Sequence, residues 1–298
     1  MRQLNYALAV EKTLHFKKAA EACAISQSAL STALTEMEKQ LGFQVFERDN
    51  KKVLITPLGK EVLAKAQAIK LQMDDLYKLA DAQKSPLSYP MSIGIIPTIG
   101  PYLLPIILPA LNKHYPGLQL NIVEEQSHVL LDKVRRGDID TAILALPYDC
   151  EGLLSFSFWQ EDFYWVAHQA HSDTQRQEIT ADELDYAELM LLEDGHCLKD
   201  HISAVCRLSE GGTHSLSATS LSTLVHLVAG KIGTTLVPEI ALDQLVSHNA
   251  LLSKVHLNEP GPHRELAFIV RPNYSALNNI EHLIKLFKNE LNRYFSRK

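Results

Sequence analysis

The chain has 298 residues, 46% of them hydrophobic and 21% charged, with a formal net charge of −6. That length favours about two domains, and that composition excludes a disordered or fibrous protein. No apolar run approaches the roughly 18 residues a membrane-spanning helix requires, and the first residues pass directly into helical periodicity. No signal peptide and a cytoplasmic location are therefore expected. Charge is unevenly spread: residues 1–60 carry nine Lys/Arg against six Asp/Glu, leaving 20 against 29 for the rest. Only the first segment suits a polyphosphate partner.

Residues 4–42 read as three short helices. The first runs from Leu4 through Leu8 and Val10 toward Leu14. The second, Phe16 to Cys23, sets Ala19, Ala20 and Cys23 on one face, where small side chains permit a close helix crossing and Cys23 reads as a small buried apolar residue. After a tight break at Ala24-Ile25, with Ser26 or Ser28 as N-cap, the third helix buries Leu30, Ala33, Leu34, Met37 and Leu41. Its other face presents Gln27, Ser28, Ser31, Thr32 and Thr35. This is the pattern of a helix-turn-helix, whose last helix reads base edges. Phe43–Glu47 and Val53–Thr56 then read as strands of a basic wing, with Arg48, Lys51 and Lys52 at its tip to meet the DNA backbone or minor groove.

From Gly59 to about Lys84, the residues Val62, Ala66, Ile69, Met73, Leu76 and Ala80 are spaced 4-3-4-3-4. That heptad seam predicts a paired linker helix over 61–84, and Ser85–Pro90 reads as a hinge. Beyond residue 90, strands and helices alternate: strands at 92–96, 119–124, 141–146, 163–168, 189–192, 234–237 and 265–270, and helices at 101–114, 129–136, 221–229 and 277–294. Alternation of this kind implies α/β subdomains with mainly parallel sheets and a ligand cleft between them.

Cys197 and Cys206 stand nine positions apart. Two near thiols in a chain without an export signal suggest redox chemistry or metal binding. If the stretch is helical, its ends lie about 13.5 Å apart, whereas a disulfide needs Cα atoms within about 7 Å, so bonding this pair requires local refolding. Cys197 follows Asp194-Gly195, a predicted helix start, where backbone N–H groups favour an anion, and His196 would add positive charge or a hydrogen bond. Glu193, Asp194 and Asp200 oppose this. A metal site from His196, Cys197, His201, Cys206 and His214 has suitable ligand types, but the spacings match no CxxC or HExxH pattern, so no metal is expected. Cys150 reads as a loop residue without a role.

Ala19-Ala20, Ser26-Gln27-Ser28-Ala29-Leu30-Ser31, Glu38, Leu41-Gly42, Phe46-Glu47-Arg48 and Thr56-Pro57-Leu58-Gly59 occur in that order and spacing, and on them the chain resembles the LysR-type transcriptional regulators over essentially its full length. Many members have proline where Ser28 stands. The second half is similar to the OxyR peroxide-sensing branch. The resemblance rests on Gly94–Pro105, Leu192–Leu198, Thr213-His214 and Ala218–Leu221, with Cys206 at the branch's distance from Cys197.

The resemblance implies an N-terminal all-α winged helix-turn-helix with a linker helix, and a C-terminal α/β regulatory domain of two subdomains resembling a periplasmic-binding-protein fold. The divisions it suggests are 1–60, 61–84, 85–90 and 91–298. Subdomain I then covers about 91–161 and 267–298, and subdomain II about 162–266. It further implies that Cys197 reacts with hydrogen peroxide to a sulfenic acid that Cys206 resolves to a disulfide. Thr98, Ser127, His196, Asp200, His214 and Arg271 would support the peroxide pocket. Implied partners are double-stranded DNA, hydrogen peroxide, a second copy in a dimer of dimers, RNA polymerase and a thiol reductant such as glutaredoxin or thioredoxin; no cofactor is expected. Two rival readings remain open here. One is a LysR-type regulator gated by a small organic co-inducer in the cleft; the other is a thiol peroxidase that uses Cys197 as nucleophile. A plain solute-binding protein fits poorly with the N-terminal helices.

Overall fold

A computed structural model describes residues 1–49, 52–82, 86–207 and 217–297 and divides the chain into two units, Met1–Ala80 and Asp81–Lys298. In the first unit, helices α1 (Arg2–Thr13), α2 (Phe16–Ala22) and α3 (Gln27–Leu41) precede strands β1 (Phe46–Asp49) and β2 (Lys52–Ile55), which pair antiparallel as a wing. Helix α4 (Pro57–Ala82) follows. Ser26 caps α3, its hydroxyl accepting from Ala29 N at 3.2 Å, and Gly42 ends the helix at φ +78°. Leu30, Leu34 and Met37 are buried as expected, but Leu41 is 40% exposed because it lies in the last turn, beyond the reach of α1 and α2. Cys23, expected in the packed face, is only half-buried, since α2 ends at Ala22 and leaves it as C-cap. Glu38 anchors the wing by accepting from Val45 N and Phe46 N at 2.8 and 3.0 Å.

Among the described side chains of α4, Leu63 and Ala66 near its start are buried, while the seam residues Ile69 and Leu76 are exposed. In the expected hinge the described residues, 86–90, alternate between exposed and buried. Leu87 and Tyr89 are buried, and Asn279 Nδ2 donates to Tyr89 Oη at 2.9 Å.

In the second unit, β3 (Pro90–Ile95), α5 (Gly100–His114), β4 (Gln119–Glu124), α6 (Ser127–Arg136), β5 (Thr141–Leu146) and β6 (Leu154–Glu161) build the first subdomain. The second holds β7 (Phe163–His168), β8 (Glu178–Ile179), β9 (Leu191–Leu192), α7 (Cys197–Val205), β10 (Ser217–Ala218), α8 (Leu221–Ala229), β11 (Thr235–Pro238), α9 (Glu239–Leu242) and β12 (Leu252–Leu257). Strand β13 (Arg264–Val270) and helix α10 (Leu277–Phe295) return to the first.

The sheets are mixed, which corrects the expectation of mainly parallel ones. The five-stranded sheet runs β4-β3-β5-β13-β6, parallel across β4, β3 and β5, with β13 antiparallel to both neighbours. The four-stranded sheet runs β11-β7-β12-β8, with β7 antiparallel to β11 and β12. The antiparallel strands are those that carry the chain across between subdomains, because a strand entering from the other sheet arrives in the opposite sense. Arg264–Leu266, expected in the second subdomain, already pair with β6 in the first sheet.

Candidate functional site

The carboxyl ends of β3 and β5 and the first turn of α6 converge on the first turn of α7, the setting in which open α/β sheets place their sites. Cys197 is the first residue of α7 and is buried; Cys206 is its C-cap and is also buried. Both are free thiols. The nine-residue helix that begins at Cys197 and is capped by Cys206 keeps their Cα atoms at the separation expected from sequence, about 13.5 Å.

The turn before α7 is fixed by Gly195 at φ +93°, where a Cβ would stand 2.7 Å from Gln126 Oε1. Gln126 immediately precedes α6, so this close approach brings the N-termini of α6 and α7 together and places Ser127 beside the Cys197 sulfur. Burial pushes the Cys197 thiol up, a direction that the helix N-terminus and the flanking acids left open in the sequence. The Ser127 hydroxyl, the Arg264 charge and the Ala145 amide all pull it back toward the anion, while Asp200 pushes it further up. Yet the geometry between Ser127 Oγ and the sulfur falls short of a formed hydrogen bond, and Ser127 Oγ meets no partner among the described residues. It is a donor held beside a protonated thiol.

Arg264, the first residue of β13, is fully buried and pairs in register with Glu161 at the end of β6. Its Nη2 lies 2.7 Å from Glu161 Oε1, and it donates through Nη1 to Thr98 Oγ1 at 3.4 Å and through Nη2 to the Thr98 carbonyl at 3.3 Å. Glu161 Oε2 in turn accepts from Ile240 N at 2.8 Å. Thr98 thus joins the cysteine environment through Arg264.

Arg271 does not. Its guanidinium donates to the Val134 and Ile139 carbonyls at 3.1 and 3.2 Å, behind α6. It stands seven positions along extended chain from Arg264, about 23 Å at 3.3 Å per residue, so the two arginines serve opposite ends of the strand. The expectation for Arg271 is corrected to Arg264, which sequence reasoning missed. Nothing in the sequence distinguished the two, because the register with Glu161 is visible only once β6 and β13 are paired.

His196 is the N-cap of α7; burial pushes its pKa down, with Glu193 opposing, so it stands neutral rather than cationic. Asp200 is exposed and lines a cavity of about 480 Å³ with His128, Arg135, Tyr148 and Asp149. Cys206 is pushed up to about 12 by burial, with Glu259 adding to it. Cys150 is half-buried, its thiol pushed up mainly by burial. His201, considered at first only as a metal ligand, is buried with Nε2 2.8 Å from the Pro147 carbonyl. His214 lies outside the described residues, and no cluster of three metal-ligating side chains occurs among those described. No helix among them is long and apolar enough to cross a membrane.

On the first unit, α3 exposes Gln27, Ser28, Thr32 and Thr35, with Ser31 half-buried. Arg48 is on β1 and Lys52 is exposed on β2; Lys51 lies outside the described residues.

Residues 1–60 match the bacterial regulatory helix-turn-helix of the lysR family, and residues 84–292 match the LysR substrate binding domain. The chain is a LysR-family transcriptional regulator. Among curated relatives, this LysR-family chain is 37% identical to the HTH-type transcriptional regulator EstR of Acinetobacter baylyi, covering 97% of this chain and 96% of that protein. It is 31% identical to the DNA-binding transcriptional dual regulator OxyR of Escherichia coli, over 100% of this chain and 97% of that one. Among solved structures, it is similar to a full-length OxyR cysteine variant from Pseudomonas aeruginosa, at a TM-score of 0.80 and 32% identity, covering 96% and 94% of the two chains. It is also similar to a hydrogen-peroxide-bound OxyR cysteine-to-serine variant from Corynebacterium glutamicum, at a TM-score of 0.67 and 32% identity, covering 98% and 92%. The fold is therefore a helix-turn-helix DNA-binding unit followed by a LysR-type regulatory unit of two α/β subdomains.

Proposed function

We propose that this LysR-family regulator senses hydrogen peroxide through Cys197 and Cys206 and controls antioxidant genes. The observation that carries the reading is the Cys197 thiol, buried at a helix start and ringed by donors able to stabilise its anion: Ser127 Oγ, the Ala145 amide and the Arg264 charge. The Cys197 thiolate attacks one peroxide oxygen. The S–O bond forms as the O–O bond breaks, and the departing hydroxide takes a proton to leave as water. The Cys206 thiolate then attacks the sulfenyl sulfur, forming the S–S bond and releasing the second oxygen as water after protonation. Because the two cysteines close a helix, the second step unwinds α7.

In this reading residues 1–60 bind double-stranded DNA. Gln27, Ser28, Ser31, Thr32 and Thr35 face base edges or phosphates, and Arg48, Lys51 and Lys52 meet the backbone. The seam of α4 pairs with a second copy, and two such dimers assemble on the operator. RNA polymerase receives the signal, and a thiol reductant resets the switch. The reaction is a single switching event rather than enzymatic turnover, and the protein acts in the cytoplasm. The test is mass spectrometry of digested protein before and after brief low-micromolar peroxide. A Cys197–Cys206 linkage with Cys23 and Cys150 still reduced is expected; four reduced thiols would overturn the reading. The cavity beside Asp200 and Tyr148 favours a second reading, in which a small organic co-inducer gates the regulator, and activation independent of both cysteines would favour it.

A further inference from the structure

We propose that His201 is the latch of the thiol segment: it holds α7 in the helical, reduced arrangement and sets how fast Cys206 reaches an oxidised Cys197. The inference rests on the peroxide-sensing reading above and adds to it a positioning residue for the resolving step.

His201 lies on α7 between the two cysteines, one helical turn after Cys197 and therefore on the same face. Its side chain is buried, and Nε2 stands 2.8 Å from the Pro147 carbonyl, just past the end of β5. A carbonyl only accepts, so Nε2 carries the ring proton and Nδ1 is left as an acceptor. Nδ1 is buried with no partner among the described residues. Among those residues, the other side-chain hydrogen bond from α7, Lys199 to Asp194, stays within the second subdomain, as does the bond from Tyr186 Oη to the Cys206 carbonyl. Among the described residues, and apart from the donors at Cys197 itself (Ser127 and the Ala145 amide), His201 is thus what ties α7 to the first subdomain by hydrogen bonding.

Closing a Cys197–Cys206 disulfide must bring Cα atoms from about 13.5 Å apart to within about 7 Å. The helix cannot survive that change, and a residue at its centre must leave its place. The bond to Pro147 breaks, so extraction of His201 belongs to the barrier of resolution. It does not belong to the attack on peroxide, which happens while α7 is intact. Burial, with the neighbouring Arg264 charge adding to it, keeps the ring neutral against the opposing pull of the Pro147 bond.

The experiment separates the two steps in the full-length protein. Sulfenic acid formation at Cys197 is timed by nucleophilic trapping in a Cys206→Ser background. Disulfide closure is timed with both cysteines present, by alkylation quench and mass spectrometry after one equivalent of peroxide. His201→Leu fills the site but cannot donate; His201→Gln keeps an N–H at nearly the reach of Nε2. Trapping rates within about twofold of the parent are expected in both variants. Closure is expected to be roughly three- to tenfold faster in His201→Leu, from the net worth of one hydrogen bond, and restored to the parent rate in His201→Gln. Unchanged closure in His201→Leu would overturn the latch, as would Gln behaving like Leu, or both steps changing together as in a general loosening. Absence of sulfenic acid in the Cys206→Ser parent itself would instead overturn the sensing reading. Should His201→Leu not fold, His201→Asn, a methylene short of Pro147, replaces it with the same expected outcomes.

Discussion

The guanidinium of Arg264 and the carboxylate of Glu161 face each other 2.7 Å apart with neither side chain exposed, at the ends of the two paired strands where the chain passes between subdomains. Such a pair holds its geometry because removing one partner strands the other charge in a dry interior, a loss of about 3–5 kcal/mol. Arg264→Met is expected to lower the stability of the reduced protein by that order in urea unfolding. It should also push the Cys197 thiol further up, since Arg264 favours its anion. Adding Glu161→Met to it should recover part of the stability and none of the thiol reactivity, measured as alkylation rate against pH. Equal recovery of both would mean that Arg264 has no electrostatic role at the sulfur.

Ser127→Ala separates reactivity from stability by sign. The hydroxyl is buried without a full partner, so its removal relieves a desolvated group and should leave unfolding free energy unchanged or raised by about 1 kcal/mol. The same change deletes a donor to the thiolate, and charge-assisted hydrogen bonds are the stronger kind, so the second-order rate with peroxide should fall roughly tenfold or more. Stopped-flow peroxide consumption and urea titration of one preparation check both halves.

His201 makes the reduced fold acid-sensitive. Burial pushes its pKa down from 6.5 to about 4, with Arg264 adding to this and the Pro147 bond opposing it. A depressed folded pKa means the neutral ring is the folded form. Its contribution is full above about pH 6.5 and is lost as pH falls through about 4, up to about 3 kcal/mol. Cys206 works the opposite way: with its thiol raised to about 12, its contribution is present below pH 9 and is lost as pH rises. Unfolding curves of the reduced protein should therefore lose stability between pH 6.5 and 4. His201→Gln should flatten that slope without changing the alkaline side.

Sequence reasoning reached the elements whose signals are local. The Ser26 cap, the α3 apolar stripe and the helix between the cysteines each depend on neighbours within a few residues. Leu154–Glu161 was missed although Leu154, Phe156 and Phe158 alternate with Ser155 and Ser157 in a readable strand period. Arg264 was missed for a deeper reason: its importance comes from Glu161, 103 positions away, through a register that only the folded sheet defines. The direction of the thiol's shift stayed open in the sequence for the same reason, because the helix start and the flanking acids are local but the burial that outweighs them is assembled from α6, β5 and β13.

Gly195 should tolerate no side chain. At φ +93° an alanine meets strain of roughly 1–2 kcal/mol, and its Cβ would displace Gln126 from the approach that seats Ser127 at the sulfur. Gly195→Ala is expected to slow peroxide oxidation of Cys197 while operator binding by the reduced protein stays within about twofold of the parent, since the helix-turn-helix belongs to the other unit. Unaltered oxidation would mean that the Gln126 contact does not position Ser127.

The DNA face divides by kind of contact. Lys52, exposed on the wing, is expected to meet phosphate, so Lys52→Ala should weaken binding to all sequences alike and reduce the slope of log affinity against log salt by about 1. Gln27 and Thr32 sit exposed in the first two turns of α3, where a recognition helix meets base edges. Gln27→Ala or Thr32→Ala should leave the salt slope intact while costing about 1–3 kcal/mol of discrimination at one base position. Fluorescence anisotropy across 50–200 mM salt, with operator and scrambled duplex, separates the two classes. Equal losses of affinity on operator and scrambled duplex for Gln27→Ala would place that side chain on phosphate rather than on a base edge.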